Sequence, residues 1–393
     1  MNEISKNGHI FATCSINKQI MNVKPVFDRI QPFNQLPHLP PPEEIIDKDV
    51  LLQWGYASRS LAELNKNLQR LPDPSILVNT ISLREAKSSS EIENIFITND
   101  DLYKAISDTL KEEIASSATK EVLRYREALW AGYNSIRETQ KITSNTVIEV
   151  YQRVKDTTLQ LRTPQSRVVI RRSNSEFRSG EIIYTPPRGG EIVKSLIDNF
   201  LDYLGSQDSY PTDPLIKMAV SHYQFEAIHP FSDGNGRTGR ILNLLYLVSQ
   251  GLLALPVLYL SKYIIENKDD YYFRLGAVIQ RGDWKSWILY MMNAVKFTAS
   301  YTNNLIDDIV NQMEETLGYS KAKLKWYSKE VNETLFMQPY IKPALLNQVL
   351  NRTSRTTLTK YMSELTHLGI LSPKKDGKEV YYVNNDLIRI LEG

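Results

Sequence analysis

The sequence predicts a mainly α-helical protein with a small β-hairpin and a separate C-terminal winged helix. Most of the chain between residues 50 and 319 carries apolar side chains at helical spacing. Only "RVVIRR" and "EIIYTPP" read as β-prone runs, and a polar Ser/Asn/Gly segment separates them, as in a hairpin or two edge strands. After about residue 320 the order becomes helix, turn, helix and a hairpin whose turn holds Asp376 and Gly377, the order of a winged helix.

Taken in order, the Pro-rich stretch "FNQLPHLPPPEEIIDKD" predicts an extended segment that wraps a surface. From Val50 to Leu71 a helix is expected, because Leu51, Leu52, Tyr56, Leu61, Leu64 and Leu68 share its spacing and "LPDP" stops it. A second helix runs from about Ile76 to Ile92. "TDPLIKMAVSHYQFEAIH" opens with Asp213 as N-cap and Pro214 at the first helical position. Its face of Ile216, Val220, Tyr223 and Ala227 then delivers the chain to His229. The longest apolar stretch, Ile241 to Leu260, is interrupted by Asn243, Ser249, Gln250, Gly251 and Pro256, so it reads as a buried helix followed by a loop. The chain thus divides into an N-terminal helical segment (1–99), a core (100–319) and the winged helix (320–393).

A chain of 393 residues exceeds one ordinary compact domain. Its 42% hydrophobic and 23% charged residues suit a soluble globular protein and exclude a membrane-spanning or disordered one. The N-terminus lacks a basic region leading into an apolar stretch, so no secretion signal is read. Cys14 stands alone and cannot form an intramolecular disulfide, which fits a reducing cytoplasm. A net charge of +2 selects no partner, although a mild basic bias from Lys321 to Arg389 leaves nucleic acid open there.

Chemistry concentrates in "HPFSDGNGRTGR", His229 to Arg240. Gly234, Gly236 and Gly239 satisfy G-x-G-x-x-G, but a dinucleotide turn follows a buried strand, and here a helix and His-Pro come first. No Gly-Lys-Ser/Thr follows, which excludes a Walker loop. A different phosphate logic fits: Gly-Asn-Gly lets successive N–H groups converge on an anion at the start of the next helix. Arg237 and Arg240, three apart, project from one face of its first turn and suit a polyphosphate. Asp233 beside phosphates calls for a bridging Mg²⁺. His229 is placed to take a proton from an attacking hydroxyl.

This stretch resembles the signature of Fic-domain proteins, H-P-F-x-D/E-G-N-G-R-x-x-R, and matches every specified position. The resemblance implies a Fic-type helical core that transfers AMP from ATP to a Ser, Thr or Tyr hydroxyl of a protein, the chain itself included. It makes His229 the general base, Asp233 the Mg²⁺ ligand, Gly234, Asn235 and Gly236 the anion hole, and Arg237 and Arg240 the grip on the outer phosphates. "SSSEIENI" resembles the family's inhibitory motif, S/T-x-x-x-E-G/N, as Ser89, Glu93 and Asn94. Ser89 and Glu93 lie one helical turn apart, and a Glu93–Arg240 pair would deprive the γ-phosphate of its arginine. "EIIYTPPRGGEI" resembles the flap, where Tyr184 and Thr185 would face a target segment paired main chain to main chain; simple loop packing is the alternative. "NKDDYYFRLGAVIQRGDW" resembles the helix bordering the adenine pocket, with Tyr272 or Gln280 at the base. The competing reading is a DNA-binding regulator, with Ser354 to Leu371 as recognition helix and Lys374, Lys375 and Lys378 contacting phosphate, so residues 354–378 carry any DNA contact. Transfer of another phosphate-containing group, or AMP removal, stays inside the same fold. The target protein is not written in the sequence, and a homo-oligomer stays open.

Overall fold

The computed structural model describes residues 27–41, 45–68, 74–107, 115–171, 180–206, 209–350 and 353–392. Cys14, the N-terminal reading and the polar link between the two β-prone runs lie outside them.

The first helix, α1 (Lys48–Asn67), starts where the Asp47 side chain accepts the N–H groups of Asp49 and Val50. Its last helical residue is Asn67, and the expected end at Leu71 lies outside the described residues. Among the described residues α2 (Pro74–Ile92), α3 (Asn99–Ser107), α4 (Ser117–Thr139) and α5 (Ser144–Lys155) follow. Strands β1 (Ile170–Arg171) and β2 (Ile182–Tyr184) pair antiparallel, Ile170 opposite Tyr184 and Arg171 opposite Ile182. The expected hairpin is therefore present but minimal.

Helix α6 (Gly190–Gly205) leads to α7 (Pro214–Ile228), whose first turn is capped by Asp213 with Pro214 inside it, as the sequence predicts. Every residue of α7 from Leu215 to Ile228 is buried. A helix covered on all sides belongs at the centre of a fold. Its partner is α8 (Asn235–Ser249), buried from Arg237 to Leu247. Around this pair pack α4, α5, α6 and the long α11 (Trp284–Lys323), with α9 (Leu260–Glu266) and α10 (Lys268–Arg281) between. Helix α1 lies parallel to α11: Gln53 bonds Asn293 at 2.7 Å, Ser60 bonds Ser300 at 3.3 Å and Asn67 bonds Asp307 at 3.2 Å. That seven-residue repeat on both helices is a coiled-coil seam.

The described part of the Pro-rich segment, 33–41, forms neither helix nor strand and turns at 34–35, with Leu36 and Leu39 buried. It is sewn down by Phe33 N–H to Thr185 O (3.0 Å) and by the Asn199 amide, which bonds both backbone groups of Leu39. Helix α11 passes unbroken through residue 320, so the winged helix hangs on a shared element. It comprises α12 (Lys329–Phe336), β3 (Tyr340–Ile341), α13 (Pro343–Val349), α14 (Arg355–His367), β4 (Ser372–Asp376), β5 (Glu379–Val383) and α15 (Asn385–Glu392), with sheet order β3-β5-β4. Ser354 caps α14. The helix ends at His367, before Leu371, because Gly369 turns the chain at φ +74°. Among the described residues, no helix is long and apolar enough to cross a membrane.

Candidate active site

The twelve-residue motif forms the turn between α7 and α8. His229 closes α7 in the left-handed region, at φ 50°. For a non-glycine residue that conformation costs on the order of 1–3 kcal/mol, and its surroundings must hold it. Its Nδ1 lies 3.3 Å from Glu226 O. A carbonyl only accepts, so Nδ1 carries the hydrogen and Nε2 is left as the basic nitrogen. Burial pulls the imidazole down to about 4; Arg162 acts in the same direction, while Glu226 O, Glu93 and Asp233 resist. His229 is neutral at pH 7.

The turn itself is braced from within. The Asn235 side chain accepts Phe231 N–H (2.8 Å) and donates to Phe231 O (2.9 Å), and the Phe231 ring stacks on Tyr151 at 3.7 Å. Asn235 therefore acts as a loop brace, and only its backbone N–H joins the start of α8. Gly234 takes φ +76°, where a side chain would be strained and would meet Lys155 at 2.9 Å. At Gly236 a Cβ would lie 2.3 Å from Glu93 Oε1. Only glycine lets that carboxylate approach.

Each charged residue of the motif faces an opposite charge. Arg240, 1% exposed, donates to Glu93 Oε1 (2.7 Å), to Ser89 Oγ (2.7 Å) and to Ser89 O (2.8 Å). Burial acts against its charge, but Glu93 outweighs it and the guanidinium stays protonated. Arg237, equally buried, pairs with Glu121 of α4 at 2.7 Å. Its Nε has no hydrogen-bond partner among the described residues. Asp233 is exposed; its Oδ1 takes the Gly234 N–H and its Oδ2 sits 2.6 Å from Lys155 Nζ at the end of α5. Burial opposes the shift, yet Lys155 and that N–H hold the Asp233 carboxyl below its ordinary range. Arg237 and Arg240, read as neighbours on one face, thus reach two different helices.

Helix α2 ends at the motif. Asn94 turns the chain in the left-handed region at φ 62°, and Lys268 Nζ takes the Ile92 carbonyl at 2.6 Å. Beside it opens a cleft of about 790 Å³ lined by Asn94, Tyr184, Glu226, Lys268, Tyr272 and Gln280 among others. Tyr272 and Gln280 are thus brought to one wall. Burial pushes the Glu226 carboxyl at its floor up to about 8, with Arg240 pulling it down and Glu93 adding to the rise. Tyr184 and Thr185 turn inward: the Tyr184 hydroxyl donates to Ala227 O (2.9 Å), and the Thr185 hydroxyl to Arg29 O (2.7 Å). The loop-packing alternative describes both side chains.

Sequence reading missed Glu121, Lys155, Arg162 and Glu226. Glu121 and Lys155 lie 116 and 78 positions from their partners, and no local pattern marks them.

A helical fold built around a buried pair, with a glycine-rich turn and a neutral histidine between its helices, defines the class of protein. Three family models match it in order: "Fic/DOC family N-terminal" over residues 51–134, "Fic/DOC family" over 141–247 and "Protein adenylyltransferase SoFic-like, C-terminal domain" over 301–387. The chain belongs to the Fic family. Among curated relatives, Protein adenylyltransferase Fic of Nematostella vectensis is 30% identical over 188 residues, 48% of this chain and 39% of that protein. Protein adenylyltransferase fic-1 of Caenorhabditis elegans is 28% identical over 151 residues, 38% of this chain and 27% of that protein. The chain spans well under half the length of these relatives. A Fic family protein from Desulfovibrio desulfuricans G20 shares the fold, with a TM-score of 0.53 at 18% identity over 88% of this chain and 98% of that one.

Proposed function

We propose that the chain transfers AMP from ATP to a Ser, Thr or Tyr hydroxyl of a protein, its own chain included, and that Glu93 restrains this reaction by occupying Arg240. One observation carries the reading: a carboxylate sits over Gly236 at the start of α8 and on a buried arginine, which is an anion in a phosphate's place. The names of the curated relatives, protein adenylyltransferases, support the same activity.

In this reading His229 Nε2 takes the proton as the hydroxyl oxygen attacks the α-phosphorus. A new O–P bond forms, the bond to the β-phosphate bridging oxygen breaks, and pyrophosphate leaves. The backbone of Gly234 to Gly236 and the unpartnered Nε of Arg237 receive phosphate oxygens, and Arg240 receives the outermost once Glu93 withdraws. The donor set suits Mg²⁺: Asp233 offers a hard, exposed carboxylate already facing a cation, and no group of three metal-ligating side chains exists among the described residues. Mg²⁺ held there would neutralise phosphate charge, and Lys155 must give up Asp233 to admit it. The cleft lined by Tyr272 would take the base. The lone Cys14 fits a cytoplasmic setting.

Intact-mass spectrometry after incubation with ATP and Mg²⁺ tests this, run on the wild-type chain and on Glu93→Gly. An adenylyl adduct, stronger in Glu93→Gly, is expected. A Glu93→Gly chain that neither gains an adduct nor releases pyrophosphate would overturn it, and a different added mass would name another transferred group.

A further inference from the structure

A helix leaves its last carbonyls without partners inside the helix. At the end of α7, the element that presents His229, those carbonyls are taken one after another from the flap side. Ala227 O accepts from the Tyr184 hydroxyl at 2.9 Å. Ile228 O accepts from Arg162 Nη2 at 3.2 Å, and His229 O from Arg162 Nε at 2.8 Å. Pro230 O accepts the Arg162 backbone N–H at 2.9 Å. The same Nη2 also donates to Pro187 O, just past β2. Arg162 is 7% exposed and Tyr184 4%. A guanidinium has a fixed planar fork of donors, and three carbonyls from two separate segments use it here. Glycine would adopt the φ of 50° at His229 freely; for histidine these donors, which fix the carbonyls on both sides, add to the His229 N–H bond to Phe225 O (2.9 Å) in holding it.

We propose that Arg162 and Tyr184 are positioning residues that hold the His229 backbone and fasten it to the flap, so that a hydroxyl presented on the flap and the base that deprotonates it stay in register. This rests on His229 being the base. Arg162 does not line the cleft beside Tyr272; Tyr184 does, but its hydroxyl is turned to Ala227 O, so both side chains reach His229 through the main chain of residues 227–230. The charged groups facing His229 are Glu93 from the end of α2, Arg162 from the loop after α5 and Asp233 from the motif turn. Of these Arg162 alone is a cation, so its loss also alters how His229 titrates.

The test uses the full chain with Glu93→Gly, comparing Arg162→Gln, Arg162→Lys and Tyr184→Phe. Displacement of the base by about 1 Å costs roughly 100-fold in rate. Arg162→Gln is therefore expected to lower kcat by about that factor, with KM for ATP within about twofold. Arg162→Lys should recover part of the loss, and Tyr184→Phe, which removes one donor and no charge, should lower kcat by about tenfold. A second readout needs no turnover. In ¹³C-histidine-labelled protein, with the His229 signal assigned by its loss in His229→Ala, the midpoint should rise in Arg162→Gln and stay in place in Tyr184→Phe. An unchanged kcat in Arg162→Gln or an unchanged His229 midpoint would overturn the proposal, as would KM for ATP rising in step with the loss of rate. If Arg162→Gln does not fold, the kcat of Tyr184→Phe decides. Equal transfer by His229→Ala and its parent would instead remove His229 as base, while the titration shift still reports the brace.

Discussion

His229 shows how one residue's surroundings set its chemistry. A free imidazole is half protonated near 6.5, whereas burial here pulls His229 to about 4. In its proposed role as base His229 works unprotonated, so the activity it supports rises as pH climbs through that value. In a Glu93→Gly chain the carboxylate that resists the shift is gone. The acidic limb of kcat/KM, which reports the free enzyme, is therefore expected no higher than about 4; a limb near 6.5 would show an imidazole still open to water. The residue types and spacing of this motif were readable in the sequence because its chemistry is local. What was not readable is which groups neutralise it, since Glu121 and Lys155 come from other helices. Asn235 marks the boundary between the two. It stands in the turn read as an anion site, yet its amide closes on Phe231, and only the folded turn reveals that.

At the scale of the element, α2 carries more than its last residues. Glu85, Ser89 and Glu93 follow one another at four-residue spacing and share a face. Glu85 is buried and accepts the Tyr125 hydroxyl (3.0 Å), the Ser261 hydroxyl (2.5 Å) and the Ser261 N–H (2.8 Å). Burial raises its carboxyl, with those three bonds pulling the other way. This carboxylate locks α2 to α4 and to the start of α9, and so sets where Glu93 arrives. Glu85→Ala strands three buried donors at about 1–3 kcal/mol each. The thermal midpoint should fall by several degrees. If Glu93 restrains the reaction as proposed, AMP transfer with Glu93 intact should increase, because Glu93 loses its fixed approach. A lower midpoint with no gain in transfer would show that Glu93 is held by Arg240 and Ser89 alone. The helix itself was expected, from about Ile76 to Ile92. Its anchoring was not, because Tyr125 and Ser261 lie far along the chain.

For the whole molecule, α11 joins the Fic core to the winged helix as one continuous element, so a boundary drawn from composition near residue 320 falls inside a helix. The winged order of helices and hairpin was legible from turn residues; its orientation was not, and orientation decides what it can bind. The wing lies against α3. Lys374 Nζ bonds Asp100 (2.6 Å) and the Tyr340 hydroxyl (2.8 Å), and Lys104 reaches Asp376 at 3.6 Å. The lysine expected to grip DNA phosphate thus already has a carboxylate. Each phosphate neutralised contributes about −0.9 to the slope of log K against log salt on duplex DNA. With Lys374 engaged and Lys375 and Lys378 left on the wing, a shallow slope of about −2 or weaker is expected. Asp100→Ala frees Lys374 and should steepen that slope by about one unit if the wing faces DNA at all. An unaltered slope would mean that the wing serves to dock the winged helix on α3, a few residues beyond Glu93, and that its basic residues stabilise this chain.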